Sequence, residues 1–260
     1  MTATYPPMKS NIAYQTDQLA RYFKSHRIAW EQFYDSERAI IGQLAPGRHH
    51  RILDIGCGCG GLGLALRDRF GVERYTGVEI NALAVEAGRM MNPAAEIYCG
   101  DILELSRGVL RDTSYDVVFS LSCVDWNVQF SDMLATAWSH VAEGGSLVAT
   151  FRLTIGEGCG DMERSYQYIN CDGSLEGERA AYVVLNAGAL IHILRSFDPV
   201  SIHAVGYWGS PSATAVTPFE KLCFAAFSIR KRADGNAASP ALALDLPAEI
   251  VDSIGAGPAA

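Results

Sequence analysis

The stretch Ile52-Leu53-Asp54-Ile55-Gly56-Cys57-Gly58-Cys59-Gly60-Gly61 constrains this chain more than any other. Its apolar start reads as a strand over 51–55, and residues 61–70 read as a helix. The glycines between them permit positive φ and carry no Cβ to block a ligand. The first N–H groups of the following helix lack intrahelical partners and face that ligand. A strand, glycine turn and helix in this order belong to a doubly wound sheet. Ligands of such sheets bind beyond the carboxyl ends of the strands.

The rest of the chain repeats the alternation. Strands are expected at 75–80, 95–99, 115–121 and 146–153, with helices at 82–91 and 130–142 between them. Such alternation implies right-handed crossovers and a mostly parallel sheet covered on both faces. Ahead of it, residues 14–44 carry apolar positions three or four apart, from Leu19 to Leu44, and read as helix, broken once, that stops at Pro46-Gly47. Residues 154–180 are polar and glycine-rich, and their length marks a loop or lid. A helix at 187–197 and strands at 201–207 and 222–229 follow. From Ala233 the chain is rich in Ala, Gly and Pro, and a mobile tail is expected. The division is therefore a helical cover over 1–46, a domain over 47–232 with 154–180 inserted, and a tail over 233–260.

Charge narrows the partners. Lys and Arg total 21 against 29 Asp and Glu, a formal charge of −8. That balance argues against grip on a nucleic-acid backbone. No apolar run is long enough to cross a bilayer, and the start MTATYPPMKS has no apolar leader segment. A cytoplasmic location without membrane contact is expected, with a small molecule as the main partner and a homodimer left open. The cysteines show no C-x-x-C spacing and the histidines no ligand spacing, so no metal is assigned.

Spacing alone leaves two ligands for the glycine turn. Gly56-x-Gly58-x-x-Gly61 and Gly58-x-Gly60-x-x-Gly63 both fit a dinucleotide fingerprint, in which Glu79 would hold ribose hydroxyls. An NAD(P)-dependent oxidoreductase is the corresponding alternative. Asp54 speaks against it, because a carboxylate at a phosphate cradle repels pyrophosphate. It suits a ligand bearing an ammonium and a sulfonium.

With ILDIGCGCGG, YTGVEIN, CGDIL, YDVVFSLS and EGGSLV in order over residues 50–153, the chain resembles the class I S-adenosylmethionine-dependent methyltransferases. The resemblance implies a Rossmann-like, seven-stranded α/β sheet with helices on both faces, its last strand antiparallel. It implies S-adenosylmethionine as cofactor and S-adenosylhomocysteine as product. Gly56, Cys57, Gly58 and Gly60 would make room for the methionine part, with Asp54 acting there through water or amides. Glu79 would take the ribose hydroxyls, and Ile80 would cover the adenine. Asp101 would accept from the adenine amine beside the Ile102 N–H, and the Ser120 carbonyl would meet the ammonium. A protein that binds this cofactor without transferring a methyl group is a further alternative.

The acceptor is expected at the loop after the fourth strand, Ser122 to Asn127. That loop lacks the [N/D]-P-P-[Y/F] sequence of many enzymes that methylate exocyclic base or amide nitrogens. Asp125 is the candidate base, weighed against a helix cap. Trp126 and Asn127 are candidate substrate contacts, with Tyr166 and Tyr168 in the inserted loop and Tyr14 in the front segment. Arg152 reads as a solvated charge.

Overall fold

The computed structural model describes residues 17–170, 172–233 and 239–255. The front segment is broken, as expected, but over a longer stretch than a single interruption of one helix. It forms α1 (Gln18–Phe23), a 3-10 turn at Trp30–Gln32, and α2 (Asp35–Leu44). Arg27 takes a left-handed φ of 59°, and Ala29 and Phe33 are extended, so the helix cannot run through. Side chains hold the break. Gln32 Oε1 accepts from the N–H groups of Ile28 and Ala29, and Glu37 accepts from Tyr34 N–H and the Arg27 guanidinium.

Beyond Pro46 the expected alternation appears. β1 (Arg51–Ile55), α3 (Gly61–Phe70), β2 (Arg74–Glu79), α4 (Ala82–Met91), β3 (Glu96–Cys99), α5 (Ile102–Leu105), β4 (Tyr115–Ser120), α6 (Phe130–Ser139) and β5 (Val141–Thr154) follow in turn. β3, β2, β1, β4 and β5 lie side by side, all parallel. α6 stops before its expected end at residue 142. The buried His140 ring is bonded to Thr113 O and Ser106 Oγ, and β5 begins at once.

The remainder holds β6 (Tyr166–Tyr168), β7 (Arg179–Ala181), β8 (Leu185–Asn186), α7 (Ala187–Ser196), β9 (Ser201–Gly209), β10 (Ala215–Val216), β11 (Leu222–Arg230), β12 (Ala241–Asp245) and α8 (Ala248–Gly255). β11 runs antiparallel between β5 and β9, so the reversed strand expected at 222–229 is present. The sheet is wider than seven strands: β8 adds to the end of β5, and β12 pairs parallel to β9 at the edge. Two expectations change here. Residues 154–180 are no bare loop, because β6 pairs with β7 and β10 in a separate small sheet. Residues 239–255 are no mobile tail. Ile250 is fully buried in the core beside α7, and Ala241 N–H bonds to Val200 O to start the edge strand. The Ala- and Gly-rich composition hid that single anchor.

Apolar side chains pack on both faces. Phe151, Phe227, Leu190 and Ile191 sit on the side of α6, α7 and α8. Ile40, Ile41, Leu66, Phe119 and Ala226 sit on the side of α2 and α3. Each such burial is worth about 1.5–3 kcal/mol before entropy is counted, which fixes the strand ends that carry the site. No helix among the described residues is long and apolar enough to cross a membrane.

Candidate cofactor and acceptor site

The glycine turn after β1 is bent by three left-handed residues, Gly56, Gly58 and Gly60, at φ 75°, 55° and 71°. A side chain at Gly56 would also collide with Cys123, since its Cβ would stand 2.5 Å from the thiol sulfur. Gly56 and Cys57 both donate to Val78 O, which ties the turn to the end of β2. Glu79 completes the tie. Its Oε2 accepts from Gly58 N–H and its Oε1 from Asn81 N–H, each at 2.9 Å. Burial raises the Glu79 pKa, while the N–H groups of Asn81, Gly58 and Ile80 hold it back.

A cavity of about 210 Å³ opens beside this turn, at the carboxyl ends of β1, β2 and β4. Gly56, Gly58, Glu79, Ile80, Asp101 and Ile102 line it, joined by Trp126 and Asn127 from the loop after β4. Asp101 caps α5 by accepting from Leu103 N–H. A second cavity of about 80 Å³ continues past Gly56 and Gly58, and reaches Asp54, Cys57 and Arg27. Asp54 is buried and accepts from the Tyr75 hydroxyl. Burial pushes its pKa up to about 7, against the pull of Tyr75 and Arg27. Arg27 is paired with Glu37 at 2.9 Å and lies over the Phe33 ring.

The front segment roofs both cavities. Leu19 and Phe23 line the larger one, and the Phe23 ring lies 3.2 Å from where a Cβ on Gly58 would stand. A Cβ on Gly61 would come within 2.2 Å of the Arg27 carbonyl oxygen. Backbone cannot yield there as a side-chain tip could. We therefore expect Gly61→Ala to displace the segment around Arg27 and weaken S-adenosylhomocysteine binding at least tenfold, about 1.4 kcal/mol. Calorimetry checks this, with the melting temperature as a control for folding.

The loop after β4 contains a 3-10 turn, Val124–Trp126, so Asp125 lies inside that turn and is not the cap expected for a helix starting near Trp126. Asp125 does not line the larger cavity. It is buried with its Oδ2 at 3.2 Å from the Arg152 guanidinium, which also donates to the Asp125 carbonyl. Burial raises the Asp125 pKa and Arg152 lowers it. Arg152 is thus not a solvated charge: its guanidinium carbon sits 3.8 Å from the Tyr182 ring centre and 4.5 Å from that of Trp126. The segment after β7 joins in, as Val183 N–H bonds to the Asp125 carbonyl.

The other expected residues divide clearly. Gly60 and Ser120 line neither cavity; Gly60 makes way for Ile97, and Ser120 is buried at the end of β4. Tyr166 and Tyr168 share one side of β6 and pack edge to face, with Arg179 over Tyr166. Their neighbour Ile169, on the opposite side, is the insertion's contribution to the cavity. Tyr14 lies outside the described residues. Sequence reasoning passed over Phe23, Asn81, Met133 and Ile169. Asn81 carried a signal, as a cap residue two places after Glu79; its Oδ1 accepts from Ala84 N–H. Among the described residues no group of three or more His, Cys, Asp or Glu side chains could hold a metal.

A glycine turn between β1 and α3, an acid closing β2 and a cavity at the strand ends define a Rossmann-like cofactor-binding domain. Residues 52–145 match the family model described as a methyltransferase domain. Trans-aconitate 2-methyltransferase of Deinococcus radiodurans is 30% identical over 123 residues, covering 45% of this chain and 45% of that protein. Ribosomal RNA small subunit methyltransferase C of Pseudomonas aeruginosa is 34% identical over 115 residues, covering 42% of this chain and 34% of that one. The chain spans less than half the length of either relative. The fold matches phosphoethanolamine N-methyltransferase 2 of Haemonchus contortus, solved in complex with S-adenosyl-L-methionine. The TM-score is 0.57 at 14% identity, over 84% of this chain and 57% of that one. The N-terminal domain of EvdMO1 with SAH bound gives a TM-score of 0.53 at 18% identity, over 76% of this chain and 80% of that one. Over residues 52–145 the chain is thus similar to methyltransferase domains, and its fold is that of the solved methyltransferases.

Proposed function

We propose that this chain transfers a methyl group from S-adenosylmethionine to an oxygen or nitrogen of a small molecule. The observation that carries the reading is the pair of adjacent cavities that share Gly56 and Gly58 in their walls, with Glu79 and Asp101 lining one and Asp54 the other. The donor set fits S-adenosylmethionine part by part. Glu79 suits the two ribose hydroxyls, because each oxygen keeps a lone pair beyond the one given to backbone. Ile80 and Ile102 suit the faces of an adenine, with Asp101 and the Ile102 N–H at its edge. Asp54 and Arg27 stand where an ammonium and a carboxylate need opposite charges. Gly56, Cys57, Gly58 and Gly60 shape the turn between these ends.

When bound, the cofactor supplies a methyl group on a sulfonium, already carrying its leaving group. The protein's part is to hold the acceptor in line and exclude water. Trp126 and Asn127 border that position, with Asp125 behind them. An O–H or N–H acceptor releases its proton as the new bond forms, and Asp125 is the nearest candidate to influence that proton. Tyr166 and Tyr168 are outer candidates for contact with a larger acceptor, and Tyr14 stays a candidate on the sequence alone. The acidic balance of the chain favours a small acceptor over RNA, with function in the cytoplasm and as a monomer or homodimer.

Thermal shift tests the reading directly. S-adenosylhomocysteine should raise the melting temperature, and reduced nicotinamide dinucleotide should not; the reverse result would reinstate the oxidoreductase. A mass-detected screen of metabolites should then yield S-adenosylhomocysteine in step with methylated product. Binding without turnover across a broad panel would leave a cofactor-binding protein only.

Asp54 adds a pH dependence. Its free-state pKa of about 7 means that the carboxyl is protonated in much of the protein below that pH. An ammonium beside it favours the carboxylate and lowers that pKa. Affinity is therefore complete above pH 7 and falls as pH drops through it, by up to about tenfold per unit. Calorimetry from pH 8 to pH 6 should show this slope, with protons released on binding at the lower end. Asp54→Asn should flatten it.

A further inference from the structure

Past the cofactor cavity, three adjacent strands place one side chain each in a single cross-strand row. Phe224 of β11 is opposite Arg152 of β5 and also opposite Tyr207 of β9. Directly opposed residues share a face, so all three project on one side of the sheet. It is the side that α2 covers, since the next row down, Thr150, Ala226 and Val205, lies on the same face and Ala226 and Val205 pack with Ile40 and Ile41. α2 ends its cover below the row. Tyr34, just before α2, is 56% exposed and Tyr207 is 41% exposed, so two large rings meet solvent where the helix gives out.

The row is arranged to present rings. Phe224 and Tyr207 lie 6.2 Å apart at a tilt of 32°. Gly209 clears the space, because a Cβ there would come within 3.0 Å of the Phe224 ring. Burial, and then Tyr34, Glu37 and Asp35, push the Tyr207 hydroxyl pKa upward. At the other end, the Arg152 guanidinium is held between Trp126 and Tyr182 and neutralised by Asp125. One step below Arg152, the Thr150 hydroxyl accepts from Ser122 N–H at 2.6 Å. Ser122 lines both cavities. The ring surface therefore adjoins the wall of the cofactor site and ends in a pair without net charge.

We propose that Tyr207 and Phe224 form a shelf that binds a planar, uncharged aromatic acceptor beside the cofactor cavity, an inference that rests on the methyl-transfer reading. Flat rings favour a flat ligand through offset or edge contacts. The neutral Asp125–Arg152 pair gives an anionic ligand no unbalanced cation to meet. The shelf is distinct from the tyrosines of β6.

The test uses the full chain with S-adenosylhomocysteine and three probes of similar size: 2-naphthol, 2-naphthoate and 2-decalol. Calorimetry at pH 7.5 should find 2-naphthol bound at least tenfold more tightly than the charged or the saturated probe. Tyr207→Ala and Phe224→Leu should each weaken 2-naphthol about tenfold, with S-adenosylhomocysteine affinity unchanged within twofold. The shelf is overturned by no 2-naphthol binding at millimolar concentration, by equal binding of the three probes, or by binding indifferent to both shelf variants. A dimer in sedimentation that Tyr207→Ala dissolves would likewise overturn it, in favour of self-association. The titrations are repeated without S-adenosylhomocysteine. Failure of the wild-type chain to bind that product would sink the methyl-transfer reading, while the 2-naphthol series still decides the shelf.

Discussion

Replacing Glu79 by alanine should cut S-adenosylhomocysteine affinity by about 100-fold, close to 3 kcal/mol. Two losses combine. The ribose hydroxyls lose their acceptor, and the N–H groups of Gly58 and Asn81 lose theirs. A buried donor left unpaired costs about 1–3 kcal/mol, and here two such donors sit on the turn that shapes the cavity. Glu79→Gln separates the contributions. Glutamine keeps one acceptor oxygen but turns an NH2 toward one of the two N–H groups, so donor meets donor. We expect an intermediate loss of at least tenfold. Asp101→Ala should cost less, about tenfold, because Asp101 lies at the cavity edge and its bond to Leu103 N–H caps a short helix. Calorimetry on the folded variants measures all three. Unchanged affinity in both alanine variants would refute the cofactor placement.

The parts of this site that could be read in advance are the parts fixed by local sequence. A glycine turn after an apolar run has few conformations open to it, and Glu79 ends its strand by arithmetic of spacing alone. Distant pairing was not legible. Nothing local says that Arg152 is buried, because its partners Asp125, Trp126 and Tyr182 come from two other segments. The length of the break in the front segment was hidden for a related reason. Its apolar positions do recur at helical spacing, yet the backbone turns left-handed at Arg27 to lay a carbonyl on Gly61. That tertiary contact overrides propensity. Residues 239–255 show the opposite error, where a weak composition concealed Ile250 and an edge strand.

Arg152→Met should lower the melting temperature by about 10 °C, since removing one partner of a buried ion pair costs about 3–5 kcal/mol and each kcal/mol moves a chain of this size by about 2–4 °C. The Asp125 carboxylate would remain with its charge uncompensated. Asp125→Asn should cost less. The Arg152 cation would still lie against two rings, and the amide oxygen introduced by the substitution could accept from it. Joining Arg152→Met with Asp125→Leu should recover most of the stability, because apolar groups can replace both charges at similar volume. Thermal melts on wild type, the two single variants Arg152→Met and Asp125→Leu, and their double give the coupling. The same set separates two roles for Asp125. If the carboxylate manages the acceptor's proton, the double variant folds, binds S-adenosylhomocysteine normally and turns over no acceptor. If the pair only holds Trp126 and Asn127 in the cavity wall, turnover returns along with the melting temperature. The geometry, with Asp125 behind the wall and bound to Arg152, favours the second outcome.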